Sequence, residues 1–172
     1  VGAHTDSPCL KVKPNADMVS QGYWQLGVEI YGGALLSPWF DRELGLAGKV
    51  SVLDQSKQLR HVLMHVDRAI GMVPNLAIHL DREANTQKSV NAQKEMPVVM
   101  GIAKSKPEFK QWLLNELNTQ HPDLAAVQVL DYELSFYDRQ QGAVYGVEEE
   151  FIASARLDNL LSCYVGLEAL LQ

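Results

Sequence analysis

The chain has 172 residues, enough for one substantial core or one core plus a smaller lobe. Its hydrophobic content of 47% and charged content of 21% are those of an ordinary globular protein. A net charge of −6 argues against a nucleic-acid or anionic-membrane partner, because phosphate groups are bound by a positive field.

Val1-Gly2-Ala3 reads as a strand, His4-Thr5-Asp6 as a corner, and Leu10–Lys13 as a second strand. Pro14-Asn15-Ala16-Asp17 carries turn chemistry. Apolar residues at 24, 26, 28 and 30 predict a strand over Trp24–Tyr31 with one buried face, and Gly32-Gly33 then bends the backbone. Aromatic anchors around Tyr31–Phe40 sit beside glycines, and an edge strand there could pair with another copy or simply be covered by its own chain. Asp41 and Arg42 are a candidate buried pair.

Gly48–Leu53 and Gln58–Val66 are rich in β-formers and flank the polar Asp54-Gln55-Ser56-Lys57, the pattern of a hairpin. Pro74 favours a short helix within Val73–Leu80, a polar loop follows over 81–95, and Met96–Ile102 predicts a strand. Pro107, after Lys104-Ser105-Lys106, suits the first turn of a helix over Pro107–Leu117. Phe109, Trp112, Leu113 and Leu117 recur there at helical spacing. Val127–Tyr137 predicts a strand with a register break near Asp131, Ala143–Val147 a short strand or loop, and Asn159–Leu171 an apolar helix. Cys9 and Cys163 stand at opposite ends and are read as reduced thiols. The apolar stretches fall short of a membrane span and no leader signature is present, so a cytoplasmic location is expected.

Chemistry concentrates at two places. His4 and Asp6 are two residues apart and share a face if extended, so the carboxylate can accept one ring N–H and turn the other nitrogen to a metal. A His and an Asp merely capping a turn is the plainer reading. Asp158 heads an apolar helix, either as a capping residue or as a carboxylate bridging two divalent ions. Glu148-Glu149-Glu150 reads as a solvated run, not a base and ligand. His61 and His65 have the spacing of a helical zinc face but lie in β-like sequence.

Four stretches, GAHTDSPCLKVKP at 2–14, EIYGGALLSPWFDRELGLAGKV at 29–50, VPNLAIHLDREAN at 73–85 and IASARLDNL at 152–160, together resemble the aspartyl aminopeptidase family of dinuclear zinc exopeptidases. The resemblance covers essentially the whole chain. It implies a mixed α/β (α+β) fold, with pieces of an α/β catalytic domain at 1–14 and 151–172 flanking a β-rich dimerisation lobe at 15–150. It implies that His4 is a ligand of one zinc, that Asp6 serves catalysis by orienting it, and that Asp158 bridges both zincs. His79 would bind substrate across a subunit interface, though a core or interface role for it stands equally open. The implied cofactor is Zn2+, two ions per full-length subunit. The implied reaction is release of N-terminal Asp or Glu from a peptide by a homo-oligomer, from dimer to dodecamer. A glutamate would carry the proton to the leaving amine.

The family places a Glu-Glu pair, an Asp and a final His after the Leu-Asp-Asn motif, whereas this sequence stops fourteen residues past Asp158. The family's first helices and strands are missing as well. The expectation is therefore an internal fragment that is inactive alone, since a catalytic zinc normally has three protein ligands. Two other readings stand beside it: a non-catalytic oligomerisation module, and an unrelated single-ion hydrolase using His4, Asp6 and Asp158.

Overall fold

Alternating apolar residues fold the middle of the chain into six strands: β1 (Cys9–Ser20), β2 (Tyr23–Tyr31), β3 (Leu44–Asp54), β4 (Leu59–Gly71), β5 (Val98–Ile102) and β6 (Ala126–Asp138). The computed structural model describes residues 2–103 and 106–172. The strands form one sheet in the order β4-β3-β6-β1-β2-β5, with every neighbour antiparallel. Just past β4, Met72 exchanges two backbone hydrogen bonds with Val99 of β5, at 3.1 and 2.8 Å. The sheet thus curls until its outer strands meet. Leu26 on β2, Leu46 and Val50 on β3, Met64 on β4 and Phe136 on β6 are buried in the resulting core.

One helix closes that core. In α2 (Phe109–Gln120), Phe109, Leu113 and Leu117 are the buried residues, at the helical spacing the sequence predicts. Phe109 sets its ring edge-on to Tyr132 of β6, with centroids 5.3 Å apart. The helix starts two residues after Pro107, because Asp17 of β1 reaches across to accept the Phe109 N–H at 2.9 Å. That contact satisfies one of the donors a helix start leaves unpaired. At the other end, Arg68 of β4 grips Glu116 with two bonds of 2.9 Å and holds its carboxyl below the ordinary value. A depressed carboxylate stabilises the fold above its unfolded value near 4.5, and that contribution is lost as pH falls through the lower folded value. In urea denaturation, Glu116→Gln is expected to cost about 1 kcal/mol near neutral pH. The gap from wild type should close as pH falls through that lowered folded value.

The structure departs from sequence expectation at three places. Residues 14–17 are not a turn but the middle of β1, where its pairing with β2 shifts register between Val12 and Asp17. A bulge tolerates Pro14, which has no N–H to give the ladder, and Ala16 is buried there. No helix forms over 73–80: Asp41 accepts both the backbone N–H and the side-chain amide of Asn75, at 2.9 and 3.1 Å, which ties the segment down in irregular form. Asp41 is thereby committed, and Arg42 pairs with Asp138 at 3.5 Å instead of with its sequence neighbour. The first strand is absent as well. Gly2 and Ala3 pair with nothing in a sheet, and Val1 lies outside the described residues, as do Lys104 and Ser105 before α2.

Other expectations hold. The register break near Asp131 is real: Ser51 pairs with Asp131 but Val52 with Val129, so Leu130 is an extra residue. The loop over 81–95 ends in a single turn, α1 (Ala92–Glu95), capped by Asn91. β7 (Ala143–Tyr145) and β8 (Phe151–Ala153) make a separate exposed hairpin. α3 (Leu157–Leu171) is interrupted at Asp158 and Asn159, whose dihedrals are not helical, so its regular part follows Asn159. It buries no residue, and Leu170 is 85% exposed. The fold is mixed α+β. Among the described residues, no helix is long and apolar enough to cross a membrane.

Candidate metal centre

Residues 2–8 run irregularly into β1, and the start of α3 lies against them. Asn159 Oδ1 accepts the His4 backbone N–H at 3.3 Å, and the Cys163 thiol donates to the His4 carbonyl at 3.3 Å. Asn159 stands just before the regular part of α3 and Cys163 lies in its first turn, and both reach the His4 backbone. They clamp the His4 backbone from both of its polar groups.

The imidazole is then set by Asp6. His4 Nδ1 lies 3.0 Å from the Asp6 carbonyl oxygen and 3.2 Å from Asp6 Oδ1. The tautomer that carries its proton on Nδ1 satisfies these two acceptors and presents Nε2 as the lone-pair nitrogen. Nε2 faces Asp158, whose Oδ1 is 3.9 Å away. Asp6 is held in turn by Tyr31 of β2, whose hydroxyl donates to Oδ2 at 3.1 Å. Bonding to that carboxylate raises the Tyr31 pKa, because ionisation would give up the donated proton.

The donor set can be tested against a zinc ion. Nitrogen and oxygen donors on one tetrahedral zinc, with bonds of about 2.0–2.2 Å, lie roughly 3.4 Å apart. The 3.9 Å between Nε2 and Oδ1 is close to that separation. The Asp158 side chain is 92% exposed, so neither donor is spent on the protein interior. The two fit as part of a zinc shell. Among the described residues, no three His, Cys, Asp or Glu side chains are grouped to hold a metal ion.

A cleft of about 520 Å³ opens beside the centre, lined by Thr5, Ser7, Trp39, Tyr137, Arg156 and Asp158 among others. The Tyr137 ring fits against β3 because Gly45 has no side chain; a Cβ there would stand 2.5 Å from the Tyr137 Cζ atom. Burial pushes the Tyr137 phenol pKa up, and its hydroxyl lies 2.7 Å from His65 Nε2.

The structure therefore brings His4, Asp6 and Asp158 together. His79 lies exposed in the turn over residues 78–80, outside every hydrogen bond that builds the centre. His61 bonds Ser51 at 2.9 Å, and the three consecutive glutamates are exposed. Sequence reasoning missed Tyr31, Asn159 and Cys163. No local signal marks them, because their partners lie far away along the chain.

Comparison with known proteins identifies the family. The family model described as "Aminopeptidase I zinc metalloprotease (M18)" matches residues 1–172. A probable M18 family aminopeptidase 2 of Stutzerimonas stutzeri is 53% identical over 99% of this chain. The chain spans 40% of that relative's own length. In the cryo-EM structure of the Ape4 and Nbr1 complex, the matching chain superposes with a TM-score of 0.84 at 35% identity, over 98% of this chain and 35% of that one. The mApe1 of Chaetomium thermophilum gives 0.79 at 30% identity, over 99% of this chain and 40% of its own. The S. cerevesiae mApe1 dodecamer shares the fold, with a TM-score of 0.69 at 22% identity, over 98% of this chain and 37% of that one. Matched from end to end by the family model and identical at half its positions to a relative, the chain belongs to the aminopeptidase I zinc metalloprotease (M18) family.

Proposed function

We propose that the protein to which these residues belong is a zinc aminopeptidase releasing N-terminal Asp or Glu from peptides. The observation that carries this reading is His4 Nε2 facing Asp158 Oδ1 at 3.9 Å while Asp6 holds the other ring nitrogen. His4 would then hold one zinc, and Asp158 would be the carboxylate shared by the two expected per full-length subunit. Zinc, when bound, lowers the pKa of a water and polarises the scissile carbonyl. Asp6 keeps the proton on Nδ1, Tyr31 fixes Asp6, and Asn159 with Cys163 fixes the main chain. Two ligands fall short of the three protein ligands of a catalytic zinc, so these 172 residues alone are inactive.

The division into catalytic segments at 1–14 and 151–172 around a lobe at 15–150 belongs to this reading, with one refinement. Leu10 and Val12 are buried in the core of the sheet, which supports a lobe beginning at β1. The exposed position of His79 supports a role toward a second copy, where it would meet substrate. A homo-oligomer is supported by the fold shared with a dodecamer and by the uncovered apolar side chains of β7, β8 and α3. Two free thiols suit a cytoplasmic, reducing setting.

The test is hydrolysis of Asp-p-nitroanilide and Leu-p-nitroanilide by the full-length protein, with and without chelator. Chelator-sensitive cleavage that favours Asp is expected. Failure to cleave either substrate with zinc bound would sink the reading and leave an oligomerisation module. In the same protein, Asp6→Asn is expected to weaken zinc binding about 10–100-fold, read by competition with a chromogenic chelator, because the imidazole loses its orienting carboxylate.

A further inference from the structure

Four of the chain's arginines are neutralised by carboxylates: Arg42 by Asp138, Arg60 by Asp54, Arg68 by Glu116, and Arg139 by Glu43 and Asp67. Arg156, like Arg82, forms no ion pair among the described residues, although the protein carries a net charge of −6. It is exposed and lines the cleft of about 520 Å³ that also contains Asp158. Its charge is felt within that cleft, since it opposes the rise in the Tyr137 pKa that burial causes. Its backbone is left-handed, with φ 66 and ψ 16, a conformation a bulky side chain rarely adopts. That turn separates Arg156 from Asp158 by one residue and still leaves both side chains on the same cleft.

The rest of the cleft suits a short side chain ending in a carboxylate. Trp39, Pro8 and the Tyr137 ring supply apolar wall, Thr5 and Ser7 supply small polar groups, and Asp138, the other carboxylate of the lining besides Asp158, is paired with Arg42. An unpaired guanidinium at the edge of such a wall is a fork for a planar carboxylate. We propose that Arg156 is a specificity residue that binds the side-chain carboxylate of the substrate's N-terminal residue. This rests on the aminopeptidase reading above and adds the group that selects among substrates.

The experiment uses the full-length enzyme and compares wild type, Arg156→Gln and Arg156→Lys on Asp-p-nitroanilide and Leu-p-nitroanilide. Neither substrate has a peptide C-terminus, so a carboxylate effect can come only from the side chain. Arg156→Gln is expected to lower the ratio of kcat/KM values, Asp over Leu, about 10–100-fold. Arg156→Lys keeps the charge without the fork and should fall between the two. Calorimetric binding of L-aspartic acid α-amide, whose only carboxylate is in the side chain, is expected to weaken in Arg156→Gln and gives a readout that does not need turnover. A ratio within about twofold of wild type, or an equal loss on both substrates with a lowered Tm, overturns the proposal and makes Arg156 a structural residue. A wild-type enzyme that prefers Asp while Arg156→Gln keeps that preference leaves the aminopeptidase reading intact. A wild type without chelator-sensitive cleavage defeats that reading, and the titration with L-aspartic acid α-amide then decides Arg156 alone.

Discussion

Asp158→Asn in the full-length protein is expected to lower kcat by at least about a thousandfold and to reduce bound zinc below the wild-type content. The substitution keeps the shape of the side chain but removes its charge and one of its two oxygen donors, so it would no longer suit the proposed bridge between two cations. The side chain is 92% exposed and makes no contact with the core, so the fold should be unaffected. Thermal unfolding of the zinc-free protein should therefore match wild type within about 0.5 kcal/mol. Metal content by atomic emission and turnover of Asp-p-nitroanilide would be measured on the same preparation. Full zinc and full turnover in the variant would remove Asp158 from the centre, and with it the meaning of its approach to His4.

Gly48→Ala is expected to destabilise the lobe by about 3 kcal/mol or more, seen as a lower midpoint of urea unfolding. Gly48 lies within β3, between β4 and β6, with φ 150. A Cβ built there stands 2.1 Å from the Glu133 carbonyl oxygen and 2.9 Å from the Leu134 Cα atom. Both obstacles are backbone of the adjacent strand, so no side-chain rotation can relieve the overlap. Gly101 in β5 is the control: a Cβ there meets nothing within 4 Å. Gly101→Ala should change stability by no more than about 0.5 kcal/mol. Equal effects at the two sites would mean that the close approach of β3 to β6 does not constrain the sheet.

The elements that could be read in the sequence are those whose cause is local. Alternation from Trp24 to Tyr31 marks β2 because each side chain's face depends only on its neighbours along the strand. The β3–β4 hairpin follows from the polar Asp54-Gln55-Ser56-Lys57 between two β-rich runs, and Asp54 indeed accepts the Gln58 N–H at 2.9 Å across that turn. The 73–80 segment was misread because its constraint is remote: Asp41, 34 residues earlier in the chain, claims Asn75. The Pro14 stretch was misread because turn chemistry and a bulge use the same residues, and only the partner strand decides between them.

The candidate centre divides in the same way. His4 and Asp6 meet although no strand forms around them, since two residues is within reach of a turn as well as of an extended chain. By itself, then, the sequence determined the residue types at the centre, the local pairing of His4 with Asp6, and the motifs that carry the family resemblance. Only the tertiary structure decided that Asn159, 155 residues from His4, grips its backbone, and that Asp158 faces its ring. Tyr31 reaches Asp6 for the same reason: β2 pairs with β1 directly after the His4–Asp6 segment, with Cys9 opposite Tyr31. Periodicity fixes which way a side chain points within an element, but strand order and the return of the chain's far end fix which side chains meet.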